Sequence, residues 1–502
     1  MERTLLVYDI ITSGCTASIF SENGTLLAAH TIPLEMQFSE NYAQQNAEDW
    51  WDAVVLATHH VTRTQDLSSI VAISFSDQVQ VCLCVDKEGV PLRPAITWSD
   101  TRSLEVEDFI GNIIGEEAYY KLTAQPNVPS SSIRKLTWIR EKEPEIFAKT
   151  YKMLGCKDYI IFKMTGVFST DDSDAAGTGC YDVHKLCWSK PILDATSISI
   201  ELLPDVYRST DMVGRLTEEA AKILKLNPGV PIISGAGDFT TATIGAGCFK
   251  EGDTYMNLGS SSWLATCSKK PMSNQSMTLI NVLHADGEHF IPLANMQEAG
   301  VVFKWLKNAM FSQGIVEPYR NVYPYENMDH ALKQSPVGAN GLLCFPFYLG
   351  SSSSYKSDLA CGGFIGLRDY HTREDMMRAA IEGATIALDL VLQTFKEDLN
   401  INRVIVEGIS SIEDGWIQII ADVFNMPVDV VDMKTTVDSI GAAIIAGVGV
   451  GLFNEMNVVD RFRSIRCVFE PNLSNQSIYD RYKEAYVHGL AGIERVMNVL
   501  NR

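Results

Sequence analysis

Thr254-Tyr255-Met256-Asn257-Leu258, then Gly259-Ser260-Ser261-Ser262, then Trp263-Leu264-Ala265-Thr266-Cys267 reads as a strand, a polar turn and a second strand. The chain opens with the same outline. Leu5-Leu6-Val7-Tyr8-Asp9-Ile10 is an apolar strand that carries a carboxylate near its end, and Thr12-Ser13-Gly14 is a polar turn. Thr16 to Phe20, Glu22-Asn23-Gly24 and Leu26 to His30 complete an antiparallel meander. Helical and strand patterns follow each opening, so two similarly built α/β domains with a cleft between them are expected. Glycines cluster at Gly247 to Gly252, which sets the expected domains at 1–247 and 248–502.

Composition bounds the function. The chain has 502 residues, 46% of them hydrophobic and 21% charged, which suits a soluble protein with a large core. A net charge of −21 without clustered Lys and Arg argues against a nucleic-acid partner. No apolar run is long enough to span a bilayer, and Met1-Glu2-Arg3-Thr4-Leu5 enters a strand directly, so a cytoplasmic location away from membranes is expected. The 11 cysteines are scattered, with Cys82 and Cys84 the one close pair and no Cys-x-x-Cys, which predicts reduced thiols and no structural zinc.

Helical patterns are read at Glu48 to Thr58, 103–114, 131–141, 156–164, 374–399, Trp416 to Phe424 and Ile440 to Gly451. Strands are read at Ile70 to Ser74 and Arg403 to Val406, and Val81 to Asp86 with Glu88-Gly89 reads as a hairpin. Surface helices leave room for a homodimer, although none carries a diagnostic stripe.

Pro231-Ile232-Ile233-Ser234-Gly235-Ala236-Gly237-Asp238 ends an apolar strand in small residues and a carboxylate. The glycines leave open space beside Asp238, where a substrate hydroxyl could approach it as a general base. The plainer reading makes Asp238 the N-cap of a helix from Thr240 to Cys248. The turn at Gly259 can aim N–H groups and hydroxyls at phosphate oxygens, and the Asp9 turn can hold a metal-bound phosphate.

The order of the Asp9 turn, Trp98-Ser99-Asp100-Thr101-Arg102, Gly235-Ala236-Gly237-Asp238, Gly259-Ser260-Ser261-Ser262 and Gly441-Ala442-Ala443 resembles the FGGY family of carbohydrate kinases, xylulokinase and gluconokinase branch, over nearly the whole chain. Thr170-Asp171-Asp172-Ser173-Asp174-Ala175 is a supporting segment. The resemblance implies two ribonuclease-H-like (actin-like ATPase) domains, with a sugar on the N-terminal side meeting ATP and Mg2+ on the C-terminal side. It implies Asp238 as catalytic base, and Asp9 with Asp238 at the metal. Gln78, Val79, Gln80, Trp98, Asp100 and Phe239 fall where the family lines its sugar pocket. Thr12, Ser13, Gly259, Ser260, Gly300, Lys304, Gly408, Ile409, Ser410 and Glu413 fall on its nucleotide side. Trp98 can equally be a core aromatic, Arg102 an ion-pair partner of Asp100, and Phe239 a packing residue.

Three glycine motifs depart from the family pattern. Ile11 stands at a glycine position of the first turn, Ser76-Asp77-Gln78-Val79-Gln80-Val81 lacks both glycines of the sugar strand, and Glu407-Gly408-Ile409-Ser410-Ser411 replaces a glycine-rich run. Two functions stay open: an ATP-dependent kinase for a ketose, polyol or sugar acid, or a silent relative that binds sugar or nucleotide as a sensor.

Overall fold

The structure, a computed structural model, describes residues 2–39, 42–258, 262–274, 276–296, 332–346, 362–408, 414–432 and 435–500. Two seven-stranded sheets dominate it. The first contains β1 (Thr4–Ile11), β2 (Gly14–Ser21), β3 (Leu26–Pro33), β4 (Ile70–Asp77), β5 (Met212–Arg215) and β6 (Pro231–Ile233), with β7 (Ala236–Gly237) paired to β4. Its order is β5-β6-β4-β1-β2-β3, in which β1, β4 and β6 run parallel and both edges are antiparallel.

The second sheet is made of β8 (Thr254–Leu258), β9 (Ser262–Thr266), β10 (Ile280–Leu283), β11 (Phe290–Met296), β12 (Val404–Gly408), β13 (Val428–Asp432) and β14 (Ser464–Phe469). Its order, β10-β11-β9-β8-β12-β13-β14, repeats the first pattern with one strand added at the meander edge. The parallel trio is now β8, β12 and β13, and β14 is the antiparallel edge. The expectation of two similarly built α/β domains is met, the second sheet carrying one strand more along its path. Parallel strands carry near-continuous apolar runs because both faces are covered, and β1 is buried at seven successive positions, Thr4 to Ile10.

Helix α1 (Ala47–Val61) covers one face of the first sheet through Trp50, Val54 and Ala57. Helices α2 (Ser132–Lys142), α3 (Cys156–Thr165) and the short α4 (Asp172–Gly177) follow in the same half. In the second half, α6 (Arg373–Lys396) and α7 (Asp414–Phe424) build the outer core with Trp416, Ile420 and Phe395. Between the sheets lie α5 (Asp238–Ala246) and α8 (Val437–Gly449). Late in sequence, α8 packs under the first sheet against Leu5, Val7, Ala72 and Ile233, while α5 packs with Tyr255, Trp263 and Leu293 of the second. Glycine permits this crossing: a Cβ on Gly245 would overlap the Val437 carbonyl, and one on Gly441 would overlap the Thr241 carbonyl.

Two local expectations need correction. The helix read over 103–114 divides into a 3-10 turn at Arg102–Glu105 and a short helix at Phe109–Ile113, because Asp108 restarts the chain by capping the Gly111 amide at 3.0 Å. The hairpin read at Val81 to Asp86 with Glu88-Gly89 forms, with the turn at Asp86 to Val90 and antiparallel bridges from Val85 to Pro91 and from Cys82 to Ile96, and Leu83–Val85 also pairs with Lys152–Leu154, a long-range partner that local periodicity does not contain. Asp238 is the first residue of α5 and Gly237 holds the N-cap position. Among the described residues no helix is long and apolar enough to cross a membrane.

Candidate active site

Asp238 follows β7, whose register beside β4 sets Ala236 against Ser76 and Gly237 against Asp77. Its side chain is half-buried, and Oδ1 accepts the Phe239 amide at 2.8 Å. Burial first, then the like charges of Asp174 and Asp9, push the carboxyl up to about 7 against the pull of that amide. A base in this range is poised near neutral pH.

Asp9 lies near the end of β1 and is 1% exposed. Its Oδ2 accepts the Thr436 hydroxyl at 3.0 Å, so the N-cap residue of α8 reaches into the first domain. Among the described residues Oδ1 has no hydrogen-bond partner. Burial pushes the Asp9 carboxyl up to about 6. An orphaned buried carboxylate oxygen near a second carboxylate is a donor set that suits a hard cation such as Mg2+. Among the described residues no three His, Cys, Asp or Glu side chains gather on one metal position, so an ion there would draw other oxygens from phosphate and water.

Two further acids face this region. Glu407, near the end of β12, accepts the Tyr255 hydroxyl at 2.6 Å, and burial raises its carboxyl. Asp438, in the first turn of α8, is raised well above the usual range by burial and then by Asp9, Asp238 and Glu407. Sequence reading missed Asp438, although it stands three residues before the quoted Gly441-Ala442-Ala443.

On the other side, the Gln78 amide side chain donates to Gln45 Oε1 at 2.8 Å and accepts from Thr12 Oγ1 at 3.2 Å. Trp98, 39% exposed, donates its indole N–H to Thr12 Oγ1 at 2.9 Å, so it is no core aromatic. Ser13 is exposed at the tip of the same turn. Gln78, Val79 and Gln80 line a small cavity of about 20 Å3 together with Asp158, Asp174 and Thr178. Val79 and Asp174 also abut Gly237, the neighbour of Asp238.

Asp100 is not brought to that opening. It is fully buried, accepts the Ala43 amide at 2.6 Å and pairs with Arg102 at 2.7 Å, while Arg102 in turn stacks over Tyr42 and Trp138. Phe239 packs edge-on against Trp263 at 5.3 Å, the packing role rather than an open face. Gly259, Ser260, Gly300, Lys304, Ile409, Ser410 and Glu413 lie outside the described residues. Leu258 and Gly408, the strand ends that lead toward two of these runs, are paired in register.

Beneath Asp238 lies a charge cluster that sequence reading did not assemble. Fully buried Lys157 contacts Asp174 at 2.6 Å, Asp171 at 2.8 Å and Asp158 at 3.1 Å, and its amide donates to Asp77 at 2.7 Å. Burial works against the ammonium, but these four carboxylates outweigh it and hold Lys157 well above the lysine range. Ser173 ties the cluster upward: it donates to Asp171 at 2.7 Å and accepts the Gly237 amide at 3.0 Å. A Lys-Asp dipeptide at 157–158 and the Asp-rich run at 171–174 were the available signals.

Residues 4–245 match the N-terminal domain of the FGGY family of carbohydrate kinases, and residues 254–450 match its C-terminal domain. A xylulose kinase of Staphylococcus xylosus is 27% identical over 489 residues, covering 95% of this chain and 98% of its own. A gluconokinase of Bacillus subtilis is 27% identical over 463 residues, covering 91% and 90%. Among solved structures, gluconate kinase from Lactobacillus acidophilus superposes with a TM-score of 0.92 at 25% identity over 100% of both chains. The ligand-bound xylulose kinase from the same organism gives 0.90 at 25% identity over 98% of each.

Proposed function

The chain belongs to the FGGY family of carbohydrate kinases, phosphotransferases that act on an alcohol group, and from that membership we propose that it phosphorylates a hydroxyl of a ketose or sugar acid with ATP, using Asp238 as general base. The observation that carries the reading is the half-buried Asp238 at the head of α5, its carboxyl pushed up to about 7 by burial and by the like charges of Asp174 and Asp9. In the reaction the substrate hydroxyl gives its proton to Asp238, and the oxygen electron pair forms the new bond to the γ-phosphorus. The bond from phosphorus to the bridging oxygen breaks, and its electrons leave with ADP. Residues 1–247 supply the sugar side and the base, and 248–502 the nucleotide side.

Asp9 and Asp238 fit as the residues that would hold Mg2+, which when bound neutralises phosphate charge. Asp9 then has a second duty through Thr436, which ties it to α8. Gln78 and Trp98, both bonded to Thr12, order the sugar side next to the first polar turn. The sensor reading is not favoured, since relatives matched over 98% and 90% of their own length carry kinase names.

The test is release of ADP by the purified protein with Mg-ATP against xylulose, gluconate and a panel of related ketoses, polyols and sugar acids. Turnover of one or more members is expected. A folded sample that turns over none of them would remove the kinase assignment.

A further inference from the structure

Lys135 lies in the first turn of α2 and is fully buried. Its ammonium donates to the Gln80 carbonyl at 2.6 Å, and from the start of the same helix the Ser132 hydroxyl donates to the Val81 carbonyl at 2.9 Å. Two consecutive carbonyls are thus gripped by one helix end. The gripped segment is unusual, because Gln80 has φ of +59°, a left-handed conformation that side chains other than glycine resist. Here the chain leaves β4 at Asp77 and swings toward the strand Leu83–Val85.

A buried ammonium is expensive unless paired, and methionine would fill the same volume without that cost. Burial brings Lys135 down to about 7; Cys82 and Asp100 pull it back only in part, and Arg102 opposes the ammonium. What the amine supplies is a strong hydrogen bond to one backbone oxygen.

We propose that Lys135 is a positioning residue of the sugar site: by donating to the Gln80 carbonyl it holds residue 80 in the left-handed conformation and keeps Gln80 on the cavity beside Gly237 and Asp238. Gln80 shares that cavity with Gln78, Val79 and Asp174, and Val79 and Asp174 abut Gly237. The role assigned to the cavity rests on the kinase reading. The backbone role of Lys135 does not.

Lys135→Met is to be compared with the unaltered protein in crystal structures and in steady-state kinetics with Mg-ATP and whichever of xylulose or gluconate is turned over. Residue 80 is expected to leave the left-handed region, with the sugar KM rising about tenfold and the ATP KM holding within twofold. In a Gln80→Gly background the backbone adopts that conformation unaided and no side chain is left to aim, so Lys135→Met should then raise the sugar KM less than twofold. Lys135→Gln, which keeps an N–H donor, serves if the Met variant does not fold, and should sit between the two. Residue 80 unmoved in the Met variant, or the same sugar-KM factor in both backgrounds, overturns the proposal. If the unaltered protein turns over neither sugar, the kinase reading loses these substrates and the conformation of residue 80 alone decides the matter.

Discussion

Thr436 and Asp9 are 427 residues apart and share one hydrogen bond of 3.0 Å. The same Thr436 oxygen accepts the Ser439 amide at 3.2 Å, so a single hydroxyl caps α8 and partners a buried carboxylate of the other domain. Thr436→Val removes both bonds while keeping the shape. Loss of the cap and of a bond to a carboxylate should lower stability by about 2 kcal/mol, read from urea unfolding midpoints, and Thr436→Ser should restore most of it.

Asp238 should govern the pH profile. Its carboxyl titrates at about 7, so the base form, and with it kcat/KM for the sugar, should rise as pH climbs through 7 and then level off. Asp238→Asn should cut kcat at least a hundredfold. Its effect on stability runs the other way. With the folded value above the ordinary 3.8, the folded state binds a proton that the unfolded state has released between 3.8 and about 7, so wild-type stability falls as pH rises across that window. The Asn variant should therefore gain Tm relative to wild type at pH 8 and little at pH 4. Equal gain at both pH values would contradict the assigned titration.

Lys157 should be the costliest charge to remove. Lys157→Met leaves Asp77, Asp158, Asp171 and Asp174 buried without their cation, a loss of about 3–5 kcal/mol at neutral pH. Burial already raises the carboxyls of Asp77, Asp158 and Asp174 with the lysine present. Without it they rise further, protonation favours the folded variant, and its Tm deficit should shrink from pH 8 to pH 5.5. Thermal melts across that range decide it.

Thr12 is the joint between Trp98 and Gln78. Thr12→Val should raise the sugar KM several-fold with little change in Tm, and Thr12→Ser should stay near wild type. A change confined to the ATP KM would place Thr12 wholly on the phosphate side.

Much of this arrangement is legible in the sequence, because the signals are local. Period-two and apolar runs give β1, β2, β8 and β9, and an acid near a strand end next to small residues marks Asp9 and Asp238. What escapes reading is contact across long separations. The Lys157 cluster joins three segments between residues 77 and 174, and the Asp9 to Thr436 bond spans most of the chain. Asp100 shows the reverse difficulty: its motif points to a pocket, but a neighbour two residues on, Arg102, satisfies it internally. The left-handed turn at Gln80 is hidden because no glycine announces it.

The exchanged helices bear on how this protein is made. Leu5, Val7 and Ala72 are covered by Ile440, Ile444 and their neighbours, which leave the ribosome only after most of the polypeptide has been synthesised. Until then the first sheet has one bare apolar face, open to chaperones or to another nascent chain. A fragment ending at residue 247 should therefore precipitate on expression, and co-expression of the remaining piece should bring it into solution.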